Sequence, residues 1–219
     1  MLTKHVLTPD HLAFPQYNRR VAALALILAS AQLTGLRAQP MPTRRATPRQ
    51  TEGPFYPLTR PRDADFDLLR NGALQYTHGQ ATWLTGSVTD IEGKPVRGAQ
   101  VEIWQCDHAG HYDHPGDGSL IDKSFQGFGQ VVVNAQGEYR FRTIRPVAYG
   151  GRAPHIHVKV KLGRRELLTT QLYVAGDPLN QDDFLWRNLQ DDNARAALTV
   201  PFTAEPDGLR AQFPIVVNT

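Results

Sequence analysis

The sequence predicts a mainly β protein, an antiparallel β-sandwich with long loops and one short helical segment. Three observations predict it. From Ala81 onward short apolar runs alternate with turn signals at regular spacing. Within the clearest run, apolar and polar side chains alternate with period two. Only Pro178 to Leu198 has a helical look, acidic early and alanine-rich late. Regularly spaced short strands with such punctuation are the signature of a sandwich or barrel.

The elements follow in order. Trp83 to Val88 is a strand leading to the turn Glu92-Gly93-Lys94-Pro95, and Val101 to Trp104 is a strand running into a long polar loop. Gly129 to Val133 precedes the turn Asn134-Ala135-Gln136-Gly137, and Tyr139 to Phe141 ends near Arg145-Pro146. His155 to Lys161 and Leu167 to Val174 form a hairpin about Gly163-Arg164-Arg165. In the first strand of that hairpin, Ile156, Val158 and Val160 share one face and His155, His157 and Lys159 the other, because strand side chains alternate. The apolar set suits the sandwich interior, so two imidazoles stand side by side on the opposite face.

Charge separates the chain into parts. The 219 residues carry a formal charge of +3, yet residues 51–219 hold 17 basic against 20 acidic side chains. The excess of arginine belongs to the N-terminal region. The remainder has no basic stripe able to follow phosphates, which argues against nucleic acid as a partner. The single cysteine, Cys106, excludes an intrachain disulfide and any multi-cysteine metal cluster; it reads as a small buried thiol.

Residues 1–31 read as an export signal. Arg19-Arg20 precedes the apolar run Val21 to Leu28, which closes on Ala29-Ser30-Ala31. That order of charged, apolar and small residues is the layout of a cleavable signal of twin-arginine type. It is too short for a stable membrane span, and a packed N-terminal helix is the alternative. The expected location is periplasmic or extracellular, the alternative cytoplasmic. Residues 32–50, rich in proline and arginine, read as a flexible linker, leaving 51–219 as the β-sandwich domain.

A His-x-His pair is weak evidence for a metal by itself. Here Tyr149-Gly150-Gly151-Arg152-Ala153-Pro154 lies directly upstream, and its glycines allow a tight return of the chain. A tyrosine so placed can turn back toward the histidines.

With that stretch the sequence resembles the intradiol ring-cleavage dioxygenase family. Arg145-Pro146 through Tyr149 and RAPHIH are similar to the second half of that family's site, and Leu84 to Tyr112 to its first half, with Gly86, Val88, Gly93, Val101-Glu102 and Gly110-x-Tyr112 in place. Thr51-Glu52-Gly53-Pro54-Phe55-Tyr56 resembles the opening of its catalytic domain. The resemblance implies Fe(3+) held by Tyr112, Tyr149, His155 and His157. It also implies a small aromatic diol and O2 as substrates, and a muconate-type diacid as product. Tyr149 would be the displaceable phenolate, Arg152 the cation that stabilises charge developing on the ring, and Gln171 a polar catalytic residue beside them. Two anionic phenolates with two imidazoles suit a hard trivalent ion better than zinc. Without a helical N-terminal dimerisation domain the chain resembles the protocatechuate branch or its stand-alone relatives, which implies a homo- or hetero-oligomer.

Two other readings compete. A non-catalytic extracellular β-sandwich binding module would give no reason for two tyrosines beside His-x-His. A zinc hydrolase would need a third ligand such as Glu102 or Asp107. His108, His111 and His114 are expected to lie in a solvated loop over the site mouth.

Overall fold

A computed structural model describes residues 44–118 and 120–219. The proposed signal and most of the linker lie outside those residues. A small hairpin, β1 (Arg70–Asn71) and β2 (Leu74–Gln75), precedes the sandwich strands β3 (Ala81–Asp90), β4 (Gln100–Trp104), β5 (Phe128–Val132) and β6 (Glu138–Ile144). These are followed by β7 (His155–Leu162), β8 (Arg165–Val174), α1 (Phe184–Arg187), α2 (Asp192–Leu198) and β9 (Thr199–Val200). The chain ends in β10 (Thr203–Glu205), β11 (Gly208–Gln212) and β12 (Ile215–Val217).

One sheet has the order β5-β4-β7-β8-β9; the other centres on β3, flanked by β6 on one side and by β11 with β10, then β12, on the other. Leu84, Val88 and Phe141 from the second sheet meet Val101, Ile103, Ile156, Val158, Val160 and Leu172 from the first in one buried core. Each fully buried aliphatic or aromatic side chain of this kind contributes roughly 1.5–3 kcal/mol. Gly86 is required where β3 passes the β11–β12 connection, since a Cβ there would lie 2.1 Å from the Phe213 carbonyl oxygen.

The sandwich is as expected, with two refinements. The pairings β11–β3, β12–β3 and β8–β9 are parallel; each joins strands separated by a long crossover, which a parallel pair requires. The single helical segment expected over 178–198 is a 3-10 turn (Pro178–Gln181) followed by two short α-helices. Asp177, Asp183 and Asp191 each accept backbone amides as N-caps and restart the chain three times.

Residues 44–50, expected to be part of a flexible linker, are instead an ordered strap. Thr47 exchanges hydrogen bonds with Val216, the Gln50 amide donates to Thr169 O at 2.9 Å, and Thr170 Oγ1 donates to Pro48 O at 2.7 Å. The strap satisfies edge groups of β8 and β12 and delivers Thr51 to Tyr56 across the outer face of the first sheet. There Lys159 pairs with Glu52, Phe55 stacks on Tyr112 with centroids 4.8 Å apart, and Tyr56 meets Trp104 edge-on. That cover buries the polar face of β7.

Candidate metal centre

The alternation of β7 places its residues as read from the sequence. Ile156, Val158 and Val160 enter the sandwich core, while His155, His157 and Lys159 face away from it and are buried under loops. Register then selects their neighbours. His157 sits between Trp104 on β4 and Gln171 on β8, and His155 opposite Tyr173. The Trp104 and His157 rings stack 4.8 Å apart at 9°, fixing the imidazole plane. His155 is fixed differently: its Nδ1–H donates to Ala153 O at 2.6 Å, so the Nε2 lone pair points away, into the site. The two Nε2 atoms are 3.2 Å apart.

Tyr112 comes from the long loop after β4. Asp107 folds that loop by accepting the amides of Ala109, His111 and Asp122, and Asp117 accepts the Tyr112 amide at 2.6 Å. Tyr149 comes from the β6–β7 connection, where Gly150 (φ 53°) and Gly151 (φ 77°) make a two-residue turn closed by a bridge between Tyr149 and Arg152. Only glycine adopts such angles freely at both positions. The turn folds Tyr149 back, bringing its Oη to 3.5 Å from His155 Nε2 and its ring edge-on to Tyr112 at 4.9 Å.

Burial sets the electrostatics. It holds His155 down at about 4 and His157 well below the usual imidazole range, with Arg152 adding to both effects. It pushes the Tyr112 phenol well up, with Cys106 and Tyr149 as smaller contributors, and raises Tyr149 less. The pocket thus holds four neutral groups that each gain by meeting a cation. Tyr112 Oη and His157 Nδ1 are buried with no hydrogen-bond partner among the described residues. An unpartnered buried hydroxyl beside two imidazoles whose Nε2 atoms converge fits a single hard cation.

Arg152 lies at the edge of this cluster with its guanidinium held on several sides. Nε donates to Asp183 Oδ2 at 2.8 Å, and Nη2 to Gln171 Oε1 at 2.7 Å and Tyr173 Oη at 3.3 Å. Gln171 is therefore next to Arg152, and its amide nitrogen is committed to Thr51 O. A cavity of about 270 Å3 opens beside Tyr149 and Arg152, bounded by Gly150, Gly151, Leu179 and Asp182.

The rival arrangements find no support. Glu102 is occupied by Tyr56, Gln100 and Lys161, and Asp107 by its own loop. His108, His111 and His114 do not converge, and among the described residues no three His, Cys, Asp or Glu side chains are grouped to hold a metal. Cys106 is buried, its thiol pushed up to about 12 by burial, and has the character of an inert core residue.

Sequence reasoning missed Asp183, Trp104, Phe55 and Tyr173. Strand parity puts Trp104 on the outward face of β4 with Glu102, but only the β4–β7 register sets it against His157. Asp183 carried only the local signal of a helix cap.

A sandwich with tyrosines and histidines so converged already points to one protein class, and the comparisons agree. The dioxygenase family model matches residues 51–217. The protocatechuate 3,4-dioxygenase beta chain of Burkholderia cepacia is 34% identical over 198 residues, covering 81% of this chain and 83% of its own length. Catechol 1,2-dioxygenase of Pseudomonas sp. (strain EST1001) is 34% identical over 66% of this chain; the match spans 52% of that enzyme, about half its length. Among solved structures, the dioxygenase domain of a dioxygenase carbohydrate-binding protein fusion from Streptomyces sp. SirexAA-E is 32% identical. It superposes with a TM-score of 0.64 over 80% of this chain and 99% of its own. This chain belongs to the intradiol ring-cleavage dioxygenase family.

Proposed function

We propose that the chain is a non-haem Fe(3+) dioxygenase that opens catechol-type rings between the two hydroxylated carbons, giving muconate-type diacids. The observation that carries this reading is the convergence of Tyr112, Tyr149, His155 and His157 beside a fixed Arg152. Ferric iron bound by those four side chains supplies a Lewis-acidic, redox-active centre for a chelating catechol and O2. Tyr149 is the half-buried ligand that borders the cavity, so its oxygen is the one placed to take a proton from an entering diol. Tyr112, His155 and His157, fully buried, remain in place. Arg152 presents positive charge toward the ring as it gains electron density, a form of electrostatic stabilisation that acts most strongly where water is excluded.

Ferric tyrosinate absorbs strongly in the visible, so iron-loaded protein should be red-brown and should consume O2 with catechol. Tyr149→Phe should shift the band and slow turnover. A colourless protein with stoichiometric zinc would reject the reading.

The cavity also bears on the substrate. Arg152 is paired with Asp183, and the other charged side chain at the rim is the exposed Asp182. Neutral catechols are therefore expected to be used better than protocatechuate, whose carboxylate would approach Asp182. Repulsion on the order of 1 kcal/mol, about fivefold in kcat/KM, is reasonable for an exposed pair. An oxygen-uptake comparison of the two substrates checks it, and Asp182→Asn should narrow the gap. Export through residues 1–31 completes the proposal, and N-terminal sequencing of an exported fraction tests it. Assembly into a homo- or hetero-oligomer is tested by light scattering.

A further inference from the structure

The cation proposed to stabilise the ring does not stand alone. Asp183, whose side chain is 0% exposed, is the most heavily committed carboxylate around the site. One of its oxygens accepts Arg152 Nε at 2.8 Å and the Ala153 amide at 2.9 Å. The other accepts the amides of Leu185 and Trp186 at 3.0 and 3.1 Å, and Arg152 Nη2 at 3.4 Å. The same carboxylate thus caps α1 and clamps both Arg152 and the backbone two residues before His155. Burial opposes its ionisation, but the hydrogen bonds from Arg152, Ala153 and Trp186 outweigh burial and leave the acid below its ordinary range.

The guanidinium has five N–H groups in a fixed fork. Asp183 takes Nε, and Nη2 is divided among Gln171, Tyr173 and Asp183. Nη1 makes no hydrogen bond to any described residue, and Arg152 borders the cavity beside Tyr149. Fixing Nε and Nη2 fixes the plane of the fork, and with it the direction of Nη1. We infer that Asp183 is a positioning residue: it holds Arg152 so that Nη1 remains free and aimed at the substrate cavity. This rests on the reading of Arg152 given under Proposed function. An arginine without that clamp would have several rotamers open to it, and a displacement of about 1 Å in a catalytic group can cost roughly 100-fold in rate.

Because Asp183 is also a helix cap, the test must separate the two roles. Asp183→Ser and Asp183→Asn both keep good capping residues and remove the charge. In iron-loaded protein each should keep a tyrosinate band, since none of the four proposed ligands is replaced, and should still unfold cooperatively, at a lower urea midpoint because the Arg152 charge is left without its partner. Each should bind the chromophoric catechol 4-nitrocatechol, measured without oxygen, about tenfold more weakly, and turn over catechol roughly 100-fold more slowly. Arg152→Met should do the same, and combining it with either Asp183 variant should add nothing further, because both substitutions remove one device. Asp183 variants that bind 4-nitrocatechol like wild type, or whose losses add to those of Arg152→Met, overturn the inference. A wild-type protein that binds 4-nitrocatechol but consumes no O2 with any catechol overturns the reading of function instead, while the binding cycle still decides the role of Asp183.

Discussion

Replacing Tyr112 with phenylalanine is expected to raise the stability of the metal-free protein and to cost it its iron. The two effects have one cause. Tyr112 is buried, burial holds the phenol neutral, and the one polar group beside its hydroxyl is that of Tyr149, which is not placed to make a hydrogen bond with it. A buried unsatisfied hydroxyl costs roughly 1–3 kcal/mol, and phenylalanine keeps the ring that stacks on Phe55. Metal-free Tyr112→Phe should therefore melt higher, by about 2–4 °C for each kcal/mol recovered in a chain of this size. On the proposed ligand set iron reverses the balance: the hydroxyl would be a phenolate ligand, and its loss would leave the ferric charge less neutralised. Losing a supporting group near a metal costs about 10–100-fold in affinity, and losing a ligand should exceed that. Calorimetry of the metal-free proteins together with iron titration followed by the visible band measures both. A variant that melts lower when metal-free would mean that the hydroxyl has a partner; one that retains iron with an unchanged spectrum would remove Tyr112 from the ligand set.

That pairing of strain with function shows what could be read from the chain in advance. The period of two in His155 to Val160 was enough to separate the core face from the histidine face, since an alternation of side chains is a local property of a strand. The return of Tyr149 was legible for a similar reason, because Gly150-Gly151 limits the turn to a few shapes. Legibility ended where long-range register began. Trp104 stacks on His157 and Gln171 reaches Arg152 because β4 and β8 pair with β7 in one register, and no local pattern states that register. Asp183 lies 31 residues from Arg152 in sequence, and its helix-cap signal gives no hint of the ion pair. Residues 44–50 misled for a different reason. Their proline and arginine content is that of a linker, but their order comes from the open edges of β8 and β12, which they cover.

The second large effect concerns acid. Metal-free protein should lose stability steadily as the pH falls from about 6.5 to about 4, before most carboxylates are protonated. His155 is fully buried and neutral; burial first and Arg152 second hold it at about 4, against 6.5 for an open imidazole. Over that interval the unfolded chain binds a proton at this position and the folded chain does not, so unfolding is favoured progressively as protons are added. At 1.36 kcal/mol per pH unit, His155 alone accounts for about 3 kcal/mol between the two limits. The loss is complete near the folded value and absent above the unfolded one. Urea midpoints of the metal-free protein at pH 7, 5.5 and 4.5 measure it, and His155→Gln, which cannot titrate, should flatten the slope. A wild-type protein whose midpoint does not move across that range would show that His155 takes up its proton in the folded state. The same neutral imidazole is what a metal ligand requires, so protons and iron compete for one lone pair. The burial that makes the metal-free protein acid-sensitive is thus what would keep the site ready for the proposed cation at neutral pH.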